Sequence, residues 1–301
     1  MTKTLAPLPI AMLVAAAVVY GLVFSFNKLA AVTGASFLGH AFWQTLIAGL
    51  ALYAVSLARR QTVSFRWPYF RAYIVVGATG FGLPMALVTL VSTELPTGYV
   101  SLAFALSPTF TYFASVLFRL DRLSGFGIAG IGLGFAGVVI VVAASDALKG
   151  EGATGWFLLT LIIPVMLAIT NVAAVVLRPP NTSSTVMGAG FLLGAALSLL
   201  PLMIVTGQFY LPSDPATLIP TLGAAAVNAV FIVLFAEIVR RWGPTFFAQF
   251  NYLTVIAAIG WAYLIFAEPP ALIVLIALAL MAAGVVISEL RHRKSSDVAA
   301  P

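Results

Sequence analysis

The sequence predicts an all-α integral membrane protein whose ten transmembrane helices form two inverted five-helix repeats, and three observations carry that expectation. Ten runs of about 20 mainly apolar residues follow one another with short turns between them, each long enough at ~1.5 Å per residue to cross a ~30 Å hydrocarbon slab. The basic residues collect on alternate turns. A five-residue word recurs once, 147 residues further along.

Of the 301 residues 62% are hydrophobic and 8% are charged, against roughly a quarter charged in a soluble domain. No soluble core of this length hides so much apolar surface. The predicted spans run 10–30, 37–57, 70–91, 97–118, 124–144, 153–176, 184–206, 217–239, 245–266 and 270–289. The first stays apolar well past the length of a signal-peptide core, so it reads as a permanent helix. Short turns make neighbouring spans antiparallel and leave no length for a soluble domain. With no cysteine, neither a disulfide framework nor a thiolate metal site is expected.

Charge placement predicts orientation. With the N-terminus in the cytoplasm, that side receives Lys3, Arg59, Arg60, Arg66, Arg71, Arg119, Arg122, Arg178, Arg240, Arg241, Arg291, Arg293 and Lys294, while Lys28 and Lys149 lie opposite. A split this uneven is the positive-inside pattern and places both termini in the cytoplasm. It accounts for the net charge of +6 through the lipid bilayer and without a nucleic-acid partner.

The repeated word is AGVVI, at Ala136–Ile140 and Ala283–Ile287. The same offset sets Asp121 on Glu268 and Ser107 on Thr254. We therefore divide the chain into 1–144, spans one to five, and 145–301, spans six to ten with a short tail. Five helices per copy force the second copy to enter from the opposite side, an arrangement associated with transporters that bind solute near the midplane.

Several stretches resemble the drug/metabolite transporter superfamily in its ten-helix form with two EamA-type repeats. Tyr20-Gly21-x-x-Phe24-x-x-x-Lys28 is similar to that family's first-span pattern. Leu106–Ser124 is similar to its Pro-containing fourth span and acidic-x-Leu-Ser turn, and the glycine-rich fifth span and Ala267-Glu268-Pro269 fit too. Two positions depart: Tyr20 stands where the family often has Trp, and Gln44 where many members have Arg. The aromatic content looks similar to the YddG-type aromatic amino acid exporters of this superfamily. The resemblance implies a multi-pass protein of the bacterial inner membrane, with a solute site lined by spans 1, 3, 4, 6, 8 and 9, and so adds Phe81 of the third span to the candidates.

Polar residues within a span face a cavity or another helix, because hydrocarbon does not solvate them. Tyr20, Phe24 and Asn27 share a face of span 1, either as an aromatic-walled cavity or as packing with an interhelical hydrogen bond. Lys28 rises about 27 Å above Ile10, near the outer surface, where it snorkels or meets solute. Tyr99 and Ser107 lie on one stripe of span 4, where Pro108 removes the donor to the Phe104 carbonyl. The matching stripe of span 9 holds Phe246, Phe250, Thr254 and Trp261, with Gln249 on its flank. Asn171, at the repeat position of Phe24, and Asn228, on a face with Phe231 and Phe235, are central in spans 6 and 8. His40, Trp43 and Gln44 group on span 2, with His40 close to the interface. Gly130-x-x-x-Gly134 is a close-packing signal, within one chain or between chains.

Absences narrow the chemistry. No carboxylate lies mid-span, which disfavours tight proton-for-cation exchange, and no mid-span cluster of Lys and Arg offers to neutralise a phosphate. With His40 and His292 as the two histidines, nothing resembles a nucleophile-base set or a metal site, so no enzyme activity and no cofactor are expected. The expected function is export of a small-molecule substrate: amino acids, aromatic ones foremost, and related amphipathic solutes, by alternating access. A multidrug exporter of lipophilic cations and a non-transporting membrane scaffold or receptor are the competing readings. Oligomeric state is open. Reporter fusions test the orientation: a cytoplasmic reporter at the C-terminus is expected to be active, and an active periplasmic reporter there overturns both orientation and helix count.

Overall fold

The computed structural model describes residues 7–119, 124–145, 148, 152–177, 182–242 and 250–298. The helices are α1 (Pro7–Val32), α2 (Phe37–Ala58), α3 (Trp67–Val91), α4 (Thr97–Leu117), α5 (Gly125–Ala144), α6 (Ala153–Ala174), α7 (Ser184–Val205), α8 (Pro215–Trp242), α9 (Phe250–Phe266) and α10 (Leu272–Val298). Eight contain stretches long and apolar enough to cross a membrane, and Phe250–Phe266 and Leu272–Gly284 are shorter apolar stretches. The chain is thus the all-helical membrane protein its apolar runs predict. Asp121, Phe246 and Gln249 fall outside the described residues.

Serine oxygens start three helices by accepting an otherwise unpaired backbone N–H: Ser36 from Gly39, Ser124 from Gly127 and Ser183 from Val186. The expected end of the tenth span, residue 289, is overrun. The helix runs on to Val298, since Arg and Lys suit a helix as well as apolar residues do and the hydropathy pattern marks only where lipid ends.

Three helices are interrupted near their middles, each beside a proline. In α3, Ala78–Gly82 forms a π-helical turn in which the Leu83 N–H bonds the Ala78 carbonyl, with Pro84 following. In α4, regular helix stops at Ala105 and resumes at Ser107, and Leu106 N–H reaches back only to Ala103. This is the break expected from Pro108. In α6 the stop is at Leu161, where Pro164 removes the donor to Thr160.

Packing is decided by how closely backbones approach. The main pairings are α5 with α10, α2 with α7, α3 with α7, α4 with α6, and α1 with both α8 and α9. A Cβ on Gly77 would sit 2.2 Å from the Phe191 carbonyl, and one on Gly194 would sit 2.1 Å from that of Tyr73, so α3 and α7 touch backbone to backbone. A Cβ on Gly284 would sit 2.7 Å from the Gly130 carbonyl, and one on Gly137 would press on Met281 and the Ala277 carbonyl. Gly127, Gly130, Gly134 and Gly137 of α5 thus pack within this chain, whereas Gly125 and Gly132 face open space. Val14, Val18, Ile128, Phe135, Ile204 and Leu264 stay exposed along the helix lengths, an outer surface suited to lipid rather than water.

Gly77→Ala and Gly194→Ala should each lower the thermal midpoint in detergent, since overpacking of this kind costs about 1–3 kcal/mol. Gly132→Ala, whose added methyl meets open space, should leave the midpoint unchanged or slightly raised. Equal midpoints for all three would mean that α3 and α7 part without cost.

Candidate functional site

The interior polar groups of four helices converge. Asn27 of α1 donates Nδ2–H to the Val23 carbonyl at 2.7 Å, and its Oδ1 accepts from Gln44 Nε2 of α2 at 3.1 Å and Thr89 Oγ1 of α3 at 2.7 Å. Asn228 of α8 donates Nδ2–H to Gln44 Oε1 at 3.0 Å. All four side chains belong to residues that are 0 or 1% exposed. The other amide oxygen, Asn228 Oδ1, has no partner among the described residues. Most other hydroxyls within the spans, such as Thr45 and Ser56, bond their own helix four residues back, so the amides stand out as the groups that tie helices together.

Aromatic rings adjoin this cluster. Phe231, one turn beyond Asn228, stacks on Phe250 of α9 at 5.0 Å and meets the Tyr20 ring at 4.1 Å, while Tyr20 and Phe250 lie 5.6 Å apart. Phe24, one turn above Tyr20, meets Phe104 edge-on at 4.8 Å. The triad therefore takes one ring from the first half of the chain and two from the second.

The two ends of the bundle differ. At the α1 C-terminal end, Lys28 forms an ion pair with Glu268, with side-chain exposures of 14% and 19%. The ammonium also donates to the Leu95 carbonyl at 3.5 Å and sits 5.5 Å from the Phe266 ring centre. The second carboxylate oxygen of Glu268 accepts the Thr97 N–H at 2.9 Å. One salt bridge thus ties α1 to the α3–α4 and α9–α10 turns. Pro96, Tyr99, Ile259 and Pro270 beside it leave a void of only 20 Å³, room for about one water. At the opposite end, Gln61, Thr62, Ser64, Tyr69, Thr182, Ser183 and Val186 line a cleft of 380 Å³.

The expected residues divide between these places. Tyr20, Phe24, Asn27, Asn228 and Phe231 come together as described. Thr254 is 1% exposed with Oγ1 unpartnered among the described residues, and Ser107 is 2% exposed at the α4 break. Tyr99 bonds Ser145 Oγ at 2.6 Å and packs on Phe157. Phe81 lies half-buried on the π turn.

Asn171 does not join Asn228. It is exposed and donates to Thr111 at 2.9 Å, because α6 packs on α4 rather than on the amide cluster. Trp261 donates its indole N–H to the Val18 carbonyl at 2.8 Å, as a clasp between α1 and α9. His40, close to the start of α2, is 0% exposed, with Nδ1 at 3.0 Å from Thr221 Oγ1 of α8, and the α7–α8 loop packs on its neighbours. There Tyr210 lies over Gly39 and takes the Trp43 N–H on its carbonyl, and burial pushes the Tyr210 phenol pKa up.

Thr89, Phe104 and Ser145 belong to these contacts without having been marked in the sequence. A Thr or Ser within a helix always has its own carbonyls to bond, so its type alone does not reveal an interhelical role.

Residues 7–143 match the EamA-like transporter family. They span α1 to α5, and the matched family is one of transporters rather than enzymes. The match concerns the family as a whole and does not reach a subgroup defined by substrate. A solved structure, a crystal structure of a protein, is similar to this chain in fold with a TM-score of 0.58 and 21% identity, over 92% of this chain and 98% of the other. No curated protein matches the sequence. The Tyr20-Gly21-x-x-Phe24-x-x-x-Lys28 run of the matched segment has a physical reading. Gly21 admits Ala257 and the Ala258 backbone of α9 within 2.9 Å of where a Cβ would be, Phe24 fills the core against Phe104, and Lys28 reaches Glu268.

Gln44→Leu removes one of two donors to Asn27 and strands the Asn228 N–H, which should cost about 1–3 kcal/mol and appear as a lower thermal midpoint in detergent. Thr111→Val, which releases only the exposed Asn171 amide, should cost under about 0.5 kcal/mol.

Proposed function

We propose that the chain is a transporter that exports small amphipathic solutes, amino acids with aromatic side chains foremost, by alternating access between two five-helix halves in a bacterial inner membrane. The observation that carries this reading is the meeting of a buried amide cluster with the Tyr20–Phe231–Phe250 triad among helices from both halves. Ring faces suit an aromatic side chain, and amides suit the polar end of a zwitterion without an opposing fixed charge.

The difference between the two ends supports the alternating-access part. The Lys28–Glu268 tie joins the turns at one end, while a cleft beside the α2–α3 turn and the start of α7 lies at the other. Under the positive-inside orientation the tie faces outward and the cleft inward, the disposition of a carrier waiting for cytoplasmic solute. The pairing scheme supports inverted repeats: α2 with α7 and α5 with α10 are each their own counterparts, and α1 with α8 and α9 corresponds to α6 with α3 and α4. The breaks in α3, α4 and α6 weaken helices at mid-length, where rigid arms need to bend.

The described carboxylates lie outside the span interiors. Glu94 is in an exposed turn, Glu237 pairs with Arg241 and Glu268 pairs with Lys28. Transport accordingly follows the solute gradient or exchanges one solute for another.

Uptake of a panel of radiolabelled amino acids into proteoliposomes tests the reading. Aromatic amino acids are expected to move, and an imposed proton gradient is expected to cause no uphill accumulation. Flux of lipophilic cations without amino acids would favour the multidrug reading, absence of any solute flux would favour a scaffold or receptor, and strong proton-driven accumulation would point to His40 or Glu237. Asn228→Ala should lower flux severalfold, from one lost hydrogen bond of about 0.5–1.5 kcal/mol, while Asn171→Ala should lower it less.

A further inference from the structure

The amide relay has one allowed polarity. The Val23 carbonyl can only accept, so Asn27 must present Nδ2 to it and turn Oδ1 toward α2 and α3. Gln44 must then offer Nε2 to that oxygen, which leaves Oε1 for α8, and Asn228 must answer with Nδ2. Reversing any one amide would set oxygen against oxygen or N–H against N–H, so the network itself assigns each orientation. The relay therefore ends on an oxygen, Asn228 Oδ1, fully buried and without a partner among the described residues.

A second bare oxygen lies at the same level. Asn228 precedes Phe231 by three residues in α8, and Thr254 follows Phe250 by four in α9. As α8 and α9 are successive spans running in opposite directions, both residues lie one turn from the Phe231–Phe250 stack, on the side toward the Lys28–Glu268 tie. Thr254 Oγ1 is likewise buried and unpartnered among the described residues. Two bare oxygens on residues one turn from an aromatic stack, with no carboxylate bonded to either among the described residues, suit a group that donates several N–H bonds and carries positive charge. Rings attract cations through their faces, and neutral oxygens accept from an ammonium without neutralising it.

We infer that Asn228 Oδ1, supported by Thr254 Oγ1, docks the N–H-bearing ammonium group of the transported solute, and that Val23, Asn27 and Gln44 are positioning residues that leave this oxygen unbonded. The inference rests on the transporter reading above and adds to it that the solute must keep at least one N–H. Opening of the bundle exposes the oxygen, and closure over a solute replaces the missing partner.

The test uses the full chain in proteoliposomes, with radiolabelled phenylalanine as tracer and unlabelled analogues as competitors. N-Methylphenylalanine and phenethylamine, which retain N–H donors, are expected to compete. N,N,N-Trimethylphenylalanine and the deaminated 3-phenylpropanoate are expected to compete roughly tenfold less well, as for loss of a hydrogen bond to a charged group. Thr254→Val, close to isosteric, should narrow this discrimination, and Asn228→Asp should shift preference from phenylalanine toward phenethylamine. Each is read as a ratio between analogues on the same protein, so expression level and folded fraction cancel. Equal competition by the trimethyl and deaminated analogues, with tracer still moving, overturns the headgroup assignment and leaves the transporter reading standing. No flux of any of these solutes overturns both.

Discussion

Lipid offers no hydrogen bonds, so every polar group carried into the span interiors must be answered by the chain. The arrangement of this protein follows from how that demand is met. Backbone groups are answered within helices, and most Ser and Thr hydroxyls by the carbonyl one turn back. Asn27, Gln44 and Asn228 are too rich in donors and acceptors to be satisfied that way. Apart from Asn228 Oδ1, they are answered by one another, by the Val23 carbonyl and by Thr89, which ties α1, α2 and α8 together and draws in α3.

The amides can meet because the helices come close. Between apolar helices in lipid no hydrophobic drive operates, and association depends on fit. Glycines supply it: Gly77 against α7, Gly194 against α3, Gly21 against α9, and Gly137 and Gly284 at the α5–α10 seam. A methyl at Gly77 or Gly194 would strike a backbone carbonyl, which cannot rotate out of the way as a side chain can. Close approach and buried polar pairing are thus one design: the first brings the amides within reach, and the second sets which helix rotation is accepted.

The proline-flanked breaks introduce the opposite quality. A π turn in α3 and interrupted turns in α4 and α6 leave helices locally short of backbone bonds. The α4 break carries the buried Ser107, and the π turn of α3 is followed, two turns on, by Thr89. The amide relay is rigid, and the helices around it are jointed. The proposed alternating-access transport, in which a solute is held and then released on the other side, would use both.

Much of this was legible in the residues. Ten spans, the α4 break at Pro108 and the packing use of the α5 glycines follow from length, proline chemistry and side-chain size, which are local properties. Asn27, Asn228, Tyr20 and Phe231 were visible as polar or aromatic groups misplaced in hydrocarbon. What the sequence could not say is which of them meet. Asn171 and Asn228 look alike in composition and depth, yet one ends exposed beside Thr111 and the other buried on Gln44. His40, near a helix end, is buried beside Thr221 of α8. Lys28 finds Glu268 across 240 residues. By itself the sequence determined that the chain crosses a membrane, how often, and which side chains would need partners there, because each depends on one helix and the lipid around it. Partner choice was left to the tertiary structure, because it depends on the rotation and mutual depth of several helices, and these are set by glycine contacts spread over the whole chain.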